Sequence, residues 1–216
     1  MFRSKNAKTQ YIIDNFAHED EAISSVGASL PEEEKRMQIG PDEGKILHTL
    51  VRMTGAKKIV EIGVLNGYSA VWMARAMPDG GKLYALEKNK SRIAPCQEAF
   101  NNCGVADKVE IIAGDAHENL AKIAKYGPFD MVFIDADKGG YCKYLDWAEE
   151  NIRKGGLIVG DNTFLFGAVY GDNEKDVGQK TIDIMKEFNA RLGNAEKYSG
   201  AIIPTVEGMT VAVKEF

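Results

Sequence analysis

Acidic and amide side chains that fall just past apolar runs are the residues whose types and spacing could do chemistry in this 216-residue chain. The stretch IDADKGGY places Asp135, Asp137 and Lys138 after one such run, and VGDN places Asp161 and Asn162 after another. If the two runs are neighbouring strands, their ends lie about 5 Å apart, so Asp135, Asp161 and Asn162 could share one ion. All three offer oxygen, which suits Mg²⁺ or Ca²⁺ and argues against zinc. Each alone reads equally well as a turn or helix cap. Together they gather negative charge that is hard to hold without a cation. Lys138 stands three residues past Asp135 and could reach whatever such an ion binds. As a base it needs a lowered pKa, which a divalent cation and partial burial would favour and the carboxylates oppose. By itself it reads as a surface or ion-pairing lysine.

A second group surrounds VEIGVLNGYSA, residues 60–70, where Glu61, Gly63 and Gly67 stand at a strand-to-helix turn. Glycine allows close backbone approach to a ligand, and the helix start offers free N–H donors. The spacing ExGxxxG lacks the third glycine of GxGxxG, so a dinucleotide pyrophosphate fits poorly. Glu87 ends the next apolar run, where a carboxylate can meet both hydroxyls of a ribose; the plainer reading is a solvated glutamate in EKNK. GDA, residues 114–116, follows the third run and could meet an adenine edge, unless Asp115 serves only as a cap.

These residues need a scaffold that lines up strand ends. Apolar runs at 58–62, 82–87, 108–112, 130–135 and 157–161 alternate with amphipathic stretches at 68–77, 91–102, 118–125 and 141–153. That alternation predicts an α/β fold, a doubly wound, Rossmann-like and mostly parallel sheet covered by helices. Gly104 and the pair Gly155-Gly156 follow the second and fourth helical stretches, where a left-handed residue commonly ends a helix. Residues 1–55 carry helical patterns only and predict an N-terminal flank or lid. The runs 201–206 and 209–214, separated by Glu207-Gly208, predict a C-terminal antiparallel hairpin that brings the sheet to seven strands. No repeat or linker divides the chain, so a single domain over 1–216 is expected.

Composition bounds the function. With 27 basic and 32 acidic side chains the formal charge is -5, which leaves no basic field for nucleic acid. No apolar stretch approaches the ~18 residues that span a bilayer, and the start MFRSKNAKTQ is polar rather than signal-like. Cys96, Cys103 and Cys142 are odd in number and form no CxxC, and His18, His48 and His117 are scattered. A cytoplasmic protein without a disulfide framework or zinc site is expected.

The motifs MQIGPDEG, VEIGVLNGYSA, Glu87, GDA, IDADK and GDN occur in an order that resembles the metal-dependent class I S-adenosylmethionine O-methyltransferases, of the caffeoyl-CoA and catechol O-methyltransferase-like group. The resemblance covers roughly residues 37–216. It implies S-adenosylmethionine as cofactor, contacted by Ile39, Glu61, Gly63, Val64, Ser69, Glu87, Ala116, Asp135 and Asp137. Ser69 would stand near its carboxylate, Glu87 on its ribose and Ala116 near its adenine. It further implies Asp135, Asp161 and Asn162 as ligands of one divalent cation (Mg²⁺ foremost, Ca²⁺ or Mn²⁺ as alternatives), Lys138 as general base, a small catechol-like acceptor, and a homodimer. Departures from the group are Gly139-Gly140 where an Asn often precedes Tyr141, Phe166 where a Trp is frequent, and Lys45 where a Gln is frequent. Two other readings share the features: a NAD-linked oxidoreductase, which the missing glycine disfavours, and a non-catalytic cofactor-binding or assembly protein, against which Lys138 and the oxygen triad stand.

Overall fold

The computed structural model describes residues 7–172 and 175–216, so the first six residues of the polar N-terminal stretch lie outside it. Among the described residues the helices are α1 (Ala7–Phe16), α2 (Glu21–Ala28), α3 (Pro41–Thr54), α4 (Tyr68–Ala76), α5 (Ile93–Asn102), α6 (Ala116–Ile123), α7 (Tyr141–Asn151) and α8 (Gln179–Leu192). The strands are β1 (Lys58–Ile62), β2 (Lys82–Glu87), β3 (Val109–Ala113), β4 (Phe129–Ile134), β5 (Ile152–Asp161), β6 (Tyr198–Ile203) and β7 (Met209–Lys214). They form a seven-stranded sheet in the order β3-β2-β1-β4-β5-β7-β6, in which β7 runs antiparallel to β5 and to β6. This is the expected Rossmann-like, mostly parallel architecture with an antiparallel C-terminal pair. No described helix is long and apolar enough to cross a membrane.

By packing, the chain forms two compact units. The first comprises the described residues through Lys57 together with 64–116. Here Asp20 caps α2 by accepting from Ile23 N–H at 2.9 Å, and the Glu43 carboxylate accepts from Gly40 N–H at 2.9 Å to close the first turn of α3. Helices α3 and α4 pack closely at Gly44, where a Cβ would stand 2.4 Å from the Trp72 indole. Gly104 takes the left-handed conformation expected just after α5.

The second unit comprises residues 58–63 and 117–216. Its central strand β4 and the second half of β5 are buried apolar runs, as a sheet covered on both faces requires. Register aligns their ends: Ile62 faces Ile134, and Ile134 faces Gly160. Gly63 and Asp135, the first residues past β1 and β4, therefore stand level with Asp161, the last residue of β5. Helix α7 passes straight into β5 at Ile152, so the Gly155-Gly156 pair expected at a helix end lies inside the strand. The reason is steric, because a Cβ on Gly156 would come within 2.8 Å of Asp130 O and 2.6 Å of the Ile152 side chain. Gly155, at φ 74°, accompanies a register shift against β4 between Phe129 and Met131. The last hairpin also differs from expectation. Strand β6 starts at Tyr198 rather than Ala201 and stops before Pro204, which cannot donate to the ladder.

Candidate active site

In the second unit the sequence-predicted residues converge at the ends of β4 and β5. Asp161 is fully buried, and its Oδ2 accepts from the Asn162 side-chain amide at 3.0 Å. Asn162 sits in the left-handed region at φ 55°, which turns the chain sharply off the strand. Asp135 is partly exposed and accepts from Lys138 Nζ at 3.3 Å. Lys138 opens a short 3-10 turn, residues 138–140, that leads into α7. Its Nζ also donates to the Tyr141 hydroxyl at 2.6 Å and lies 4.6 Å from that ring's centroid. Asp137, at the start of the same turn, accepts from the Tyr144 hydroxyl at 2.7 Å. The exposed His117 imidazole stacks on the Tyr144 ring, centroids 4.7 Å apart.

Gly63 and Glu61 belong to this unit. A Cβ on Gly63 would stand 2.1 Å from Asp135 O, so only glycine lets the ends of β1 and β4 lie this close. Glu61 is wholly buried on β1. Among the described residues no group of three or more His, Cys, Asp or Glu is arranged to hold a metal. The donor set at the strand ends is instead two carboxylates and one amide. Hard oxygen ligands of that kind fit Mg²⁺, Ca²⁺ or Mn²⁺ and not a thiolate or imidazole metal.

In the first unit Glu87 is almost wholly buried at the end of β2. Its Oε2 accepts from Val64 N–H at 3.3 Å and Leu65 N–H at 3.0 Å, and its Oε1 accepts from Asn89 N–H at 2.7 Å. The carboxylate is thus fastened to the glycine-rich turn, and the solvated-glutamate reading falls. Arg92 stands 3.7 Å from Glu87 Oε1 and donates to Glu34 at 3.0 Å. Gly67 starts α4 at φ 88°, with Phe100 packed where a Cβ would be, and Ser69 is buried in the first turn. Ile39 is buried just ahead of α3, and Ala116 is the first residue of α6.

Residue spacing gave Tyr144 and Asn66 no role and gave Tyr141 only a place beside the pocket. The tyrosines follow Lys138 at steps of three, a helical stripe that ordinarily means core packing. Asn66 is buried and donates to Val26 O at 2.8 Å and to the Gln38 amide oxygen at 2.7 Å. It thereby fastens the glycine-rich turn to α2 and to the segment that carries Ile39.

The profile of the O-methyltransferase family matches residues 20–215. A catechol O-methyltransferase of Niastella koreensis is 36% identical over 211 residues, covering 94% of each chain. One from Mycobacterium tuberculosis is 33% identical over 173 residues, covering 78% of each. Among solved structures, the O-methyltransferase TomG of Streptomyces achromogenes, in complex with SAM, superimposes with a TM-score of 0.86 at 30% identity, covering 98% of this chain and 97% of that one. An O-methyltransferase from Bacillus cereus in complex with SAH gives 0.84 at 29%, covering 99% and 100%. On the matched profile and on relatives of this identity and coverage, the chain belongs to the O-methyltransferase family of methyl-transferring enzymes.

Proposed function

We propose that this protein transfers a methyl group from S-adenosylmethionine to a hydroxyl of a small catechol-like compound with the help of one divalent cation, Mg²⁺ foremost. The observation that carries the reading is the pair of carboxylates, Asp135 and Asp161, at the level ends of adjacent strands with Lys138 bonded to one of them. Asp135, Asp161 and Asn162 would hold the cation. When bound, it supplies a Lewis acid that lowers the pKa of a chelated hydroxyl. Lys138 would take the proton from the acceptor oxygen. Glu87 would bind the cofactor ribose, Ser69 its carboxylate end and Ala116 its adenine. Ile39, Glu61, Gly63, Val64, Asp135 and Asp137 are the further residues for which cofactor contact is proposed. Positioning does most of the catalysis, because transfer from a sulfonium needs oxygen, carbon and sulfur in line.

The same reading takes residues 1–216 as one methyltransferase domain, acting in the cytoplasm as a homodimer on small molecules. The catechol names of its relatives and the bound SAM and SAH of its structural neighbours support the choice of substrate and cofactor. Purified protein incubated with S-adenosylmethionine, Mg²⁺ and a panel of vicinal diphenols should yield a monomethyl ether, and excess EDTA should abolish the product. Undiminished turnover in EDTA would remove the cation from the mechanism. Failure to methylate any vicinal diphenol would remove the substrate class.

A further inference from the structure

The Tyr141 side chain is fully buried, yet its hydroxyl touches three groups that belong to the strand-end cluster. It lies 3.0 Å from Ile134 O, 2.8 Å from Asp161 O and 2.6 Å from Lys138 Nζ. A phenol has one proton to give. Both carbonyls can only accept, so that proton goes to them, and the oxygen must receive from Lys138. The direction of the Lys138 bond is therefore set by the backbone of β4 and β5. Phe188 packs edge-on against the ring, with centroids 5.1 Å apart, and keeps the phenol from swinging away.

We propose that Tyr141 is the positioning residue for Lys138. It is a clasp between the ends of β4 and β5 that fixes the lysine nitrogen against Asp135 and orients its remaining valence for the proton transfer. Two of the tetrahedral positions about Nζ are taken, by Asp135 Oδ1 and Tyr141 Oη. One direction is left over for an acceptor, and the lysine stem is confined over the ring. This rests on the reading of Lys138 as the base.

The test is a double-mutant cycle in turnover with Tyr141→Phe and Lys138→Ala. The phenylalanine keeps the ring, the packing on Phe188 and the place of the lysine nitrogen over the ring face, and removes only the hydroxyl. Tyr141→Phe should lower kcat by about 10- to 100-fold, the scale of a misplaced catalytic group. The KM for S-adenosylmethionine should stay within about twofold, because the clasp acts on proton removal and not on cofactor binding. In the Lys138→Ala background the same substitution should cost less than about twofold more, since a positioning residue has nothing left to position. Multiplicative losses, or full kcat in Tyr141→Phe, would overturn the proposal. Full kcat in Lys138→Ala would instead overturn the base assignment on which it rests. The unmodified protein gives an independent check without turnover. The ¹³C-labelled Lys138 ε-methylene should show order parameters near those of rigid backbone, and a freely rotating ε-methylene would overturn the clasp.

Discussion

Glu87 is a structural tie whose carboxylate keeps room for the ligand role proposed for it. Its two oxygens offer about four lone-pair sites, and three backbone N–H groups occupy three of them. The remaining capacity is what a ribose hydroxyl would use. Glu87→Ala should weaken S-adenosylmethionine binding by about 1.5 to 3 kcal/mol, the range for a hydrogen bond to a charged acceptor. Glu87→Gln should fall between the two, since its amide keeps one acceptor oxygen. Calorimetric titration decides it, and an unchanged dissociation constant in folded Glu87→Ala takes the residue out of the cofactor site. At this scale the sequence was informative where acids close apolar runs. Asp135, Asp161 and Glu87 stand where a parallel sheet must put them. It was silent on the hydrogen bonds of Tyr141 and Tyr144, because a buried tyrosine that packs and a buried tyrosine that bonds share one pattern of spacing.

The short turn between β4 and α7 has a shape that depends on a missing side chain. A Cβ on Gly140 would stand 2.5 Å from the Tyr144 ring and 2.8 Å from its hydroxyl oxygen, so the ring can lean over the turn and reach Asp137 only because position 140 is bare. Gly140→Ala and Tyr144→Phe should therefore do the same damage. Each should weaken S-adenosylmethionine binding by about 3- to 10-fold, the worth of one net hydrogen bond, and together they should be little worse than either alone. Isothermal titration of the single and double variants checks this; independent, additive losses would separate the glycine from the tyrosine. The departure Gly139-Gly140 thus gains a physical meaning that spacing alone could not supply. The start of β5 was illegible for a related reason. Ile152-Arg153-Lys154 has no strand alternation, and only Ile152 pairs with β4, opposite Phe129, ahead of a register shift. The onset of β6 was hidden as well, since Tyr198-Ser199-Gly200 is a polar, largely exposed edge.

For the molecule as a whole, acid should be the destabilising direction, and His48 is one named cause. Burial first, then the positive Lys45, holds its imidazole pKa below the usual histidine value, against a weaker opposing pull from the Trp72 carbonyl. That carbonyl lies 3.2 Å from Nδ1. A histidine kept neutral in the fold takes up its proton more readily when unfolded. Its contribution is present above the unfolded pKa of about 6.5 and is lost as pH falls toward the lower folded value. Melting temperature should drop between pH 7.5 and 5.5, and His48→Gln should flatten that part of the curve; parallel curves would clear His48. The sheet order carries a different consequence, for synthesis. Strand β7 comes after β6 in sequence but lies between β5 and β6, and Met209 pairs directly with Asp161. A ribosome delivers residues in order, so Asp161 emerges long before the strand that braces it. A nascent chain paused short of residue 209 would hold every proposed cation ligand and still lack the wall that sets one of them. Catalytic competence would then arrive late and abruptly in translation, making methyl transfer a sensitive report of synthesis past β7.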